Sequence, residues 1–284
     1  MTKRTMRAGA QVLMMATDPI NRGILRTALE HPVEVAPGHA FRVSSGGREA
    51  LFVAFVVERW LQNAPHGPVD IDGPSSEGTV AAFAEGWTAT VVHMLAREPM
   101  TLGELDSAID DVGRRQLKRH LEAMRAAGQV EALGKDSEAI YALTDWARAG
   151  IAPLIASARL ERRNPMEGMA PIDALDVDAG FRLSLPLVTL PKELSGVCRL
   201  GLNLEEDESV ALTGVTARIE EGRVVSCEDG LDNPANAWAT ATAADWLDTV
   251  IEPDAKRVRT GGDRWLASAL VAGMHTTLFG VSVA

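Results

Sequence analysis

The sequence has little of what most chemistry requires. It holds two cysteines, Cys198 and Cys227, and one tyrosine. Neither cysteine lies in a CxxC pair or in a Cys/His cluster, so a structural zinc site and a disulfide scaffold are excluded and a reducing, cytoplasmic setting is expected. One tyrosine, six phenylalanines and six tryptophans are too few for the aromatic platforms that bind single-stranded nucleic acid. No GxGxxG, Walker A, HExxH or GxSxG motif occurs. Ser195-Gly196 and Ser44-Ser45-Gly46-Gly47 lack a nucleophile-elbow context. His31, His39, His66, His93, His120 and His275 are scattered, and Asp106, Asp110 and Asp111 read as turn and capping residues. The chain is therefore read as a non-enzyme that calls for no cofactor and no metal.

Long apolar runs are missing as well. The longest, Ala50 to Val57, is far below the roughly 20 residues that span a bilayer, so no membrane partner is expected. The basic-then-apolar N-terminus is short in its apolar part and meets Asp18-Pro19, so it is not read as a signal peptide. Positive charge is also scarce: 28 Lys+Arg stand against 39 Asp+Glu, a net charge of -11. That excludes a uniformly basic nucleic-acid coat but not a local basic element. What is present fits a soluble globular chain: 284 residues, 46% hydrophobic and 24% charged, enough for about two domains at ~150 residues each.

An internal repeat organises the first half. RGILRTALEHP (22–32) matches ATVVHMLAREP (89–99) at an offset of 67. FRVSSGGREALFVAF (41–55) matches YALTDWARAGIAPLI (141–155) at an offset of 100, with caps Ser44 and Thr144 and arginines Arg48 and Arg148 in register. The first copy therefore lacks 33 residues that the second retains. Its segment His31–Val43 is too short for two helices and reads as a tight β connection. The remaining helices, Pro19–Glu30 and Gly47–Asn63, suit a scaffold, a core or a dimer surface. Ala50–Leu61 is apolar nearly all round, as a buried or interface helix is.

The complete copy has a definite order. Residues 79–98 show helical spacing, with Val80, Phe83, Trp87, Val91 and Leu95 about four apart. Pro99 stops that helix. Thr101-Leu-Gly-Glu104 is a capping box that starts a second helix running to about Ile109. Residues 113–127 form a third, with Leu117, Leu121 and Met124 on one face and Gly128 as its stop. Gln129–Leu133 and Ala139–Leu143 are two short strands around a Gly134-Lys135-Asp136-Ser137 turn. Thr144-Asp145 caps another helix. The third helix carries Arg114, Arg115, Lys118 and Arg119 on a face separate from its apolar one. Residues 111–128 hold five cations against two acids, in a chain that is acidic overall. A charge run is usually a solvated face. The element order, however, is that of a winged helix-turn-helix, whose third helix enters the major groove and whose wing touches phosphate.

Residues 86–150, through WTATVVHMLAREPMTLGELD, RRQLKRHLEAMRAAGQVEA and YALTDWAR, resemble the HxlR-type and related bacterial winged-helix regulators. The resemblance covers about a quarter of the chain. It implies a homodimer that binds double-stranded operator DNA, with Arg114, Arg115, Lys118, Arg119 and the wing residue Lys135 as contacts.

Asn164–Pro171 has the composition of a linker. Beyond it, Phe181–Val188 is an apolar segment broken by Pro186 and is ambiguous. Val197–Leu204, Val210–Glu220, Arg223–Cys227, Ala237–Thr240 and Arg257–Thr260 read as strands, with Glu221-Gly222 as a hairpin turn. Thr242 caps a helix to about Glu252. Gly261-Gly262-Asp263 leads into a last one, with Leu266, Leu270, Met274 and Leu278 four apart. Through RIEEGRVVSC (218–227), AWATATAADWLDTVIE (237–252) and VRTGGDRWLASALVAGM (258–274), this part resembles the sterol carrier protein-like fold. That resemblance implies an apolar tunnel for a hydrophobic small molecule, with Trp238, Trp246, Trp265, Met274 and Phe279 as candidate wall residues. Each of these, taken singly, is better explained by plain core packing.

The reading is α+β: a truncated winged-helix copy (1–78), a winged helix-turn-helix (79–163) and a sterol carrier protein-like domain (172–284). Its functional consequence is a one-component transcriptional regulator. The alternative is a small-molecule binding or sequestering protein that has lost DNA binding.

Overall fold

The structure is a computed structural model. It describes residues 34–36, 39–40, 45–71, 73, 76, 79–80, 86–109, 112–134, 138–163, 174–203, 211–253 and 256–280. Helices and sheets alternate in a mixed α+β arrangement. The expected helix Pro19–Glu30, the linker 164–171 and Lys135 lie outside the described residues.

The β connection of the first copy is a two-stranded ribbon, β1 (Glu34–Ala36) against β2 (His39–Ala40). Helix α1 (Ser45–Gln62) follows. Val53, Val57 and Leu61 are fully buried on it, while Phe55 is exposed. The helix packs along α6 (Ile151–Arg163), as an apolar helix with one wet stripe does. A pair of indoles fastens its C-terminal end. Trp60 Nε1 donates to the Trp146 carbonyl at 2.8 Å and Trp146 Nε1 donates to the Trp60 carbonyl at 2.9 Å. The rings stack at 5.1 Å. Each indole thereby buries its large ring without leaving its N–H unsatisfied.

The complete copy gives α2 (Gly86–Arg97), β3 (Met100–Thr101), α3 (Leu102–Ala108), α4 (Arg114–Ala126), β4 (Val130–Leu133), β5 (Ile140–Leu143) and α5 (Asp145–Ala149). Helical backbone also occurs at Thr79–Val80, with Val80 buried. The capping box is present: Thr101 Oγ1 accepts from the Glu104 N–H, and the Glu104 carboxylate accepts from the Thr101 N–H at 2.7 Å. Those bonds hold the Glu104 carboxyl below the usual carboxylate range. Leu117, Leu121 and Met124 are buried on α4 as spaced, each contributing about 2 kcal/mol by burial. Gly128 ends that helix with φ +74, and the Gln129 N–H reaches the Met124 carbonyl at 2.9 Å. A Cβ there would also lie 2.3 Å from Pro65 Cγ. The sequence reading omits β3. Met100 and Thr101 pair with Tyr141 and Ile140, which extends the β4–β5 hairpin to three strands in the order β3-β5-β4. Two residues are too few to show alternation.

The last part holds α7 (Ala174–Ser184), a 3-10 turn (Leu185–Leu187), β6 (Gly196–Asn203), β7 (Ala211–Glu220), β8 (Arg223–Asp229), β9 (Ala237–Ala241), α8 (Ala243–Ile251), β10 (Arg259–Gly262) and α9 (Arg264–Phe279). The ambiguous segment 181–188 is helical. Pro186 is the second residue of the 3-10 turn, where its missing N–H is not needed. The sheet order is β10-β9-β6-β7-β8, antiparallel except for β6 beside β9. Glu221 and Gly222 both take positive φ in the β7–β8 turn, the conformation a two-residue hairpin needs. Helices α7, α8 and α9 lie against the sheet. Cys198, Leu200, Val215, Ala217, Ala237 and Ala239 are fully buried in it. No described helix is long and apolar enough to cross a membrane.

Candidate nucleic-acid interface and ligand site

Helix α4 breaks a local electrostatic rule. The N-terminal end of a helix carries partial positive charge and favours acids. Helices α3, α5 and α8 carry Glu104, Asp145 and Asp245 in their first turns, while α1, α2, α6 and α9 carry no acid there. Helix α4 has no acid there and begins with two arginines. Its N-cap, Gly113, supplies no side chain to the free N–H groups. Arg115, Lys118 and Arg119 are exposed, and at spacings of three and four they share one ridge. They line a single depression with Gly113, Gln116 and Glu122. None of the three makes an ion pair among the described residues. Arg114 does, reaching Asp106 at 3.7 Å, but both groups are partly exposed and such a pair adds little. His120 on the same helix is half-buried, and burial lowers its pKa.

The hairpin after α4 exposes an apolar pair, Leu133 (54%) and Ile140 (40%), directly opposed in the ladder. Glu138 is exposed near its tip.

A charge cluster joins this region to the C-terminal sheet. Arg182 on α7 is 3% exposed. Its Nε donates to Asp178 at 2.9 Å, its Nη1 to the Cys227 carbonyl at 3.4 Å and its Nη2 to Asp229 on β8. Arg97, the last residue of α2, shares both acids, at 3.7 Å from Asp178 and 3.6 Å from Asp229. Arg148 of α5 donates to the Arg182 carbonyl at 3.1 Å.

The five candidate wall residues are not brought together. Trp246 is a core residue, its ring edge-on to Phe181 at 4.9 Å and its Nε1 bonded to the Gly201 carbonyl at 2.9 Å. Met274 is likewise buried. Trp265, in the first turn of α9, is 67% exposed. Trp238 lies on the outer sheet face, where it covers Gly261 of the neighbouring strand so closely that a Cβ there would sit 2.3 Å from the indole. Of the five, Phe279 lines a cavity open to solvent.

That cavity holds about 610 Å³ between α1, α6, α8 and α9. Phe52, Arg159, Arg163, Glu252 and His275 line it beside Phe279. The sequence reading missed it because its walls come from four distant segments. One signal was available: Arg159 is the only charge within Ile151–Leu160. No cluster of His, Cys, Asp and Glu among the described residues suits a metal ion.

No protein-family profile matches the chain, and no curated protein does. Among solved structures, it is similar to a stereoselective inverting sec-alkylsulfatase, Pisa1, from Pseudomonas sp., at 13% identity and a TM-score of 0.28. The match covers 80% of this chain and 44% of that one, and a likeness this faint carries no argument about either fold or activity.

Proposed function

We propose that the protein is a one-component transcriptional regulator. In this reading residues 86–150 form a winged helix-turn-helix of the HxlR-like kind. Helix α4 enters the major groove, and the β4–β5 hairpin touches phosphate, with Lys135 as the contact the sequence suggests. The C-terminal part is a sterol carrier protein-like sensor of a small molecule, and the unit acts as a cytoplasmic homodimer. A single winged helix covers one short half-site, whereas a two-fold pair reads a palindrome.

The observation that carries the reading is the unpaired basic ridge at the N-terminal end of α4. Arg114 and Arg115 stand in the first turn, where a cation opposes the helix dipole, and Arg115, Lys118 and Arg119 make no ion pair among the described residues. An anion bound at that end supplies the compensation, and a phosphate backbone is such an anion. Arg114 and Arg115 suit guanine edges, Lys118 and Arg119 phosphates. The Arg97–Asp178–Arg182–Asp229 cluster gives the C-terminal part a mechanical hold on α2. Effector control requires that DNA-competent and incompetent arrangements bind the effector with different affinities.

The test is a fluorescence-anisotropy titration of duplex DNA from upstream of the protein's own gene against random duplex. Preference for the upstream duplex supports the regulator. Equal or absent binding at low salt refutes it and leaves the sequestering protein.

A further inference from the structure

We infer that the cleft between α1, α6, α8 and α9 binds a small aromatic carboxylic acid, its carboxylate on Arg159 and its ring against Phe52 and Phe279. The site itself stands without the regulator reading. Only its regulatory consequence rests on it.

The first argument is the state of the two arginines. The Arg163 fork is filled: it donates to Glu49 at 2.7 Å and to Asp248 at 2.8 Å. Arg159 is different. Its side chain is 8% exposed, yet among the described residues it makes one hydrogen bond, from Nη1 to Glu252 at 2.9 Å. A guanidinium has five N–H donors and matches a carboxylate with two parallel bonds. Glu252 uses one of them and is itself 66% exposed, so water readily takes it back. A buried cation held by one solvated partner is ready to exchange it for a ligand.

The second argument is the apolar wall. The Arg159 guanidinium lies 5.9 Å from the Phe52 ring centre. Phe52 stacks on Phe279 at 6.0 Å, and Phe279 on His275 at 6.5 Å. His275 is pinned by its Nδ1, which meets the Val250 carbonyl at 3.0 Å and so carries the proton. This ladder of flat rings beside a buried guanidinium fits a flat ring bearing a carboxylate. The cleft is open to solvent and offers about 610 Å³ beside these rings. Among the lining residues Arg48, Arg159 and Arg163 stand against Glu49 and Glu252, so the cleft favours an anion.

The placement also gives such a ligand leverage. Helix α6 follows α5 directly, and α1 is stapled to α5 by the Trp60–Trp146 pair. A molecule in the cleft touches both α1 and α6.

The experiment is isothermal titration of the full chain with 2-naphthoate, and with neutral 2-naphthamide as control. Naphthoate binds with a Kd of about 10–100 μM, typical of one good ion pair and one buried ring system. Arg159→Met weakens naphthoate binding about tenfold or more, and Arg159→Lys, which keeps the charge without the fork, weakens it nearly as much. Glu252→Gln removes the competitor and tightens binding about threefold. Naphthamide binds weakly and is indifferent to all three. Absence of naphthoate binding, or a Kd unchanged in both Arg159→Lys and Glu252→Gln, overturns the site. DNA titration without naphthoate is scored separately, so naphthoate binding without DNA binding keeps the site and rejects the regulator, and the reverse rejects the site alone.

Discussion

Replacing Arg182 with methionine tests whether the charge cluster under α7 holds the structure together. The wild-type guanidinium meets Asp178, Asp229 and the Cys227 carbonyl from a position 3% exposed. Methionine fills similar space but leaves the Asp178 carboxylate, 8% exposed, with Arg97 at 3.7 Å as its remaining cation. Removing one member of a buried pair costs 3–5 kcal/mol. Asp229 is 63% exposed and is resolvated, so the expected loss is at the lower end, about 3 kcal/mol. Adding Asp178→Leu removes the stranded charge and restores about 2 kcal/mol, because two apolar side chains are tolerated where one lone carboxylate is not. The assay is urea unfolding followed by tryptophan emission, since Trp246 of α8 is buried against Phe181, the neighbour of Arg182 on α7. A loss below about 1 kcal/mol in the single variant, or a double variant no more stable than the single, refutes the reasoning.

Three further outcomes are expected. Thr144→Ala removes the cap on the Ala147 N–H and the bond to the Gly128 carbonyl, costing about 2 kcal/mol by the same urea assay. Gly214→Ala places a Cβ 2.0 Å from the Leu200 carbonyl oxygen, a backbone atom that cannot yield, and costs about 3 kcal/mol or more, whereas Gly180→Ala, with open space around it, is neutral or stabilising. Burial pushes the Cys198 thiol up to about 12 and the Cys227 thiol to about 11 from an ordinary 9.0. Unfolding therefore releases thiol protons above pH 9, so stability is full below pH 9 and falls as pH rises toward 11. A urea midpoint that drops between pH 8.5 and 10.5, and drops less in Cys198→Ala/Cys227→Ala, confirms the sign.

What was legible in the sequence was local. Thr101 with Glu104, Thr144, Thr242 and Asp263 each sit at the N-cap the sequence implies, because a cap is decided within four residues. The cations of α4 were found for the same reason: a helix that carries Leu117 and Leu121 inward must carry Lys118 and Arg119 outward. Partners distant in sequence were not legible. Nothing in Cys198–Leu202 names Ala237–Ala241 as its parallel neighbour. Trp238 and Trp246 have the same residue type and helix-or-strand context that suits a ligand wall, yet one covers a glycine and the other packs in the core. The Arg159 cleft is assembled from four helices and exists only in the folded chain.

The central claim is that α4 meets DNA phosphate through its basic ridge. Its most direct test is the salt dependence of affinity for the upstream duplex, measured for wild type and for Lys118→Gln/Arg119→Gln. Each phosphate contact adds about 0.9 to the slope of log K against log salt, so the double variant lowers the slope by about 2 per protomer, or about 4 in a dimer. An unchanged slope in a variant that still folds contradicts the account.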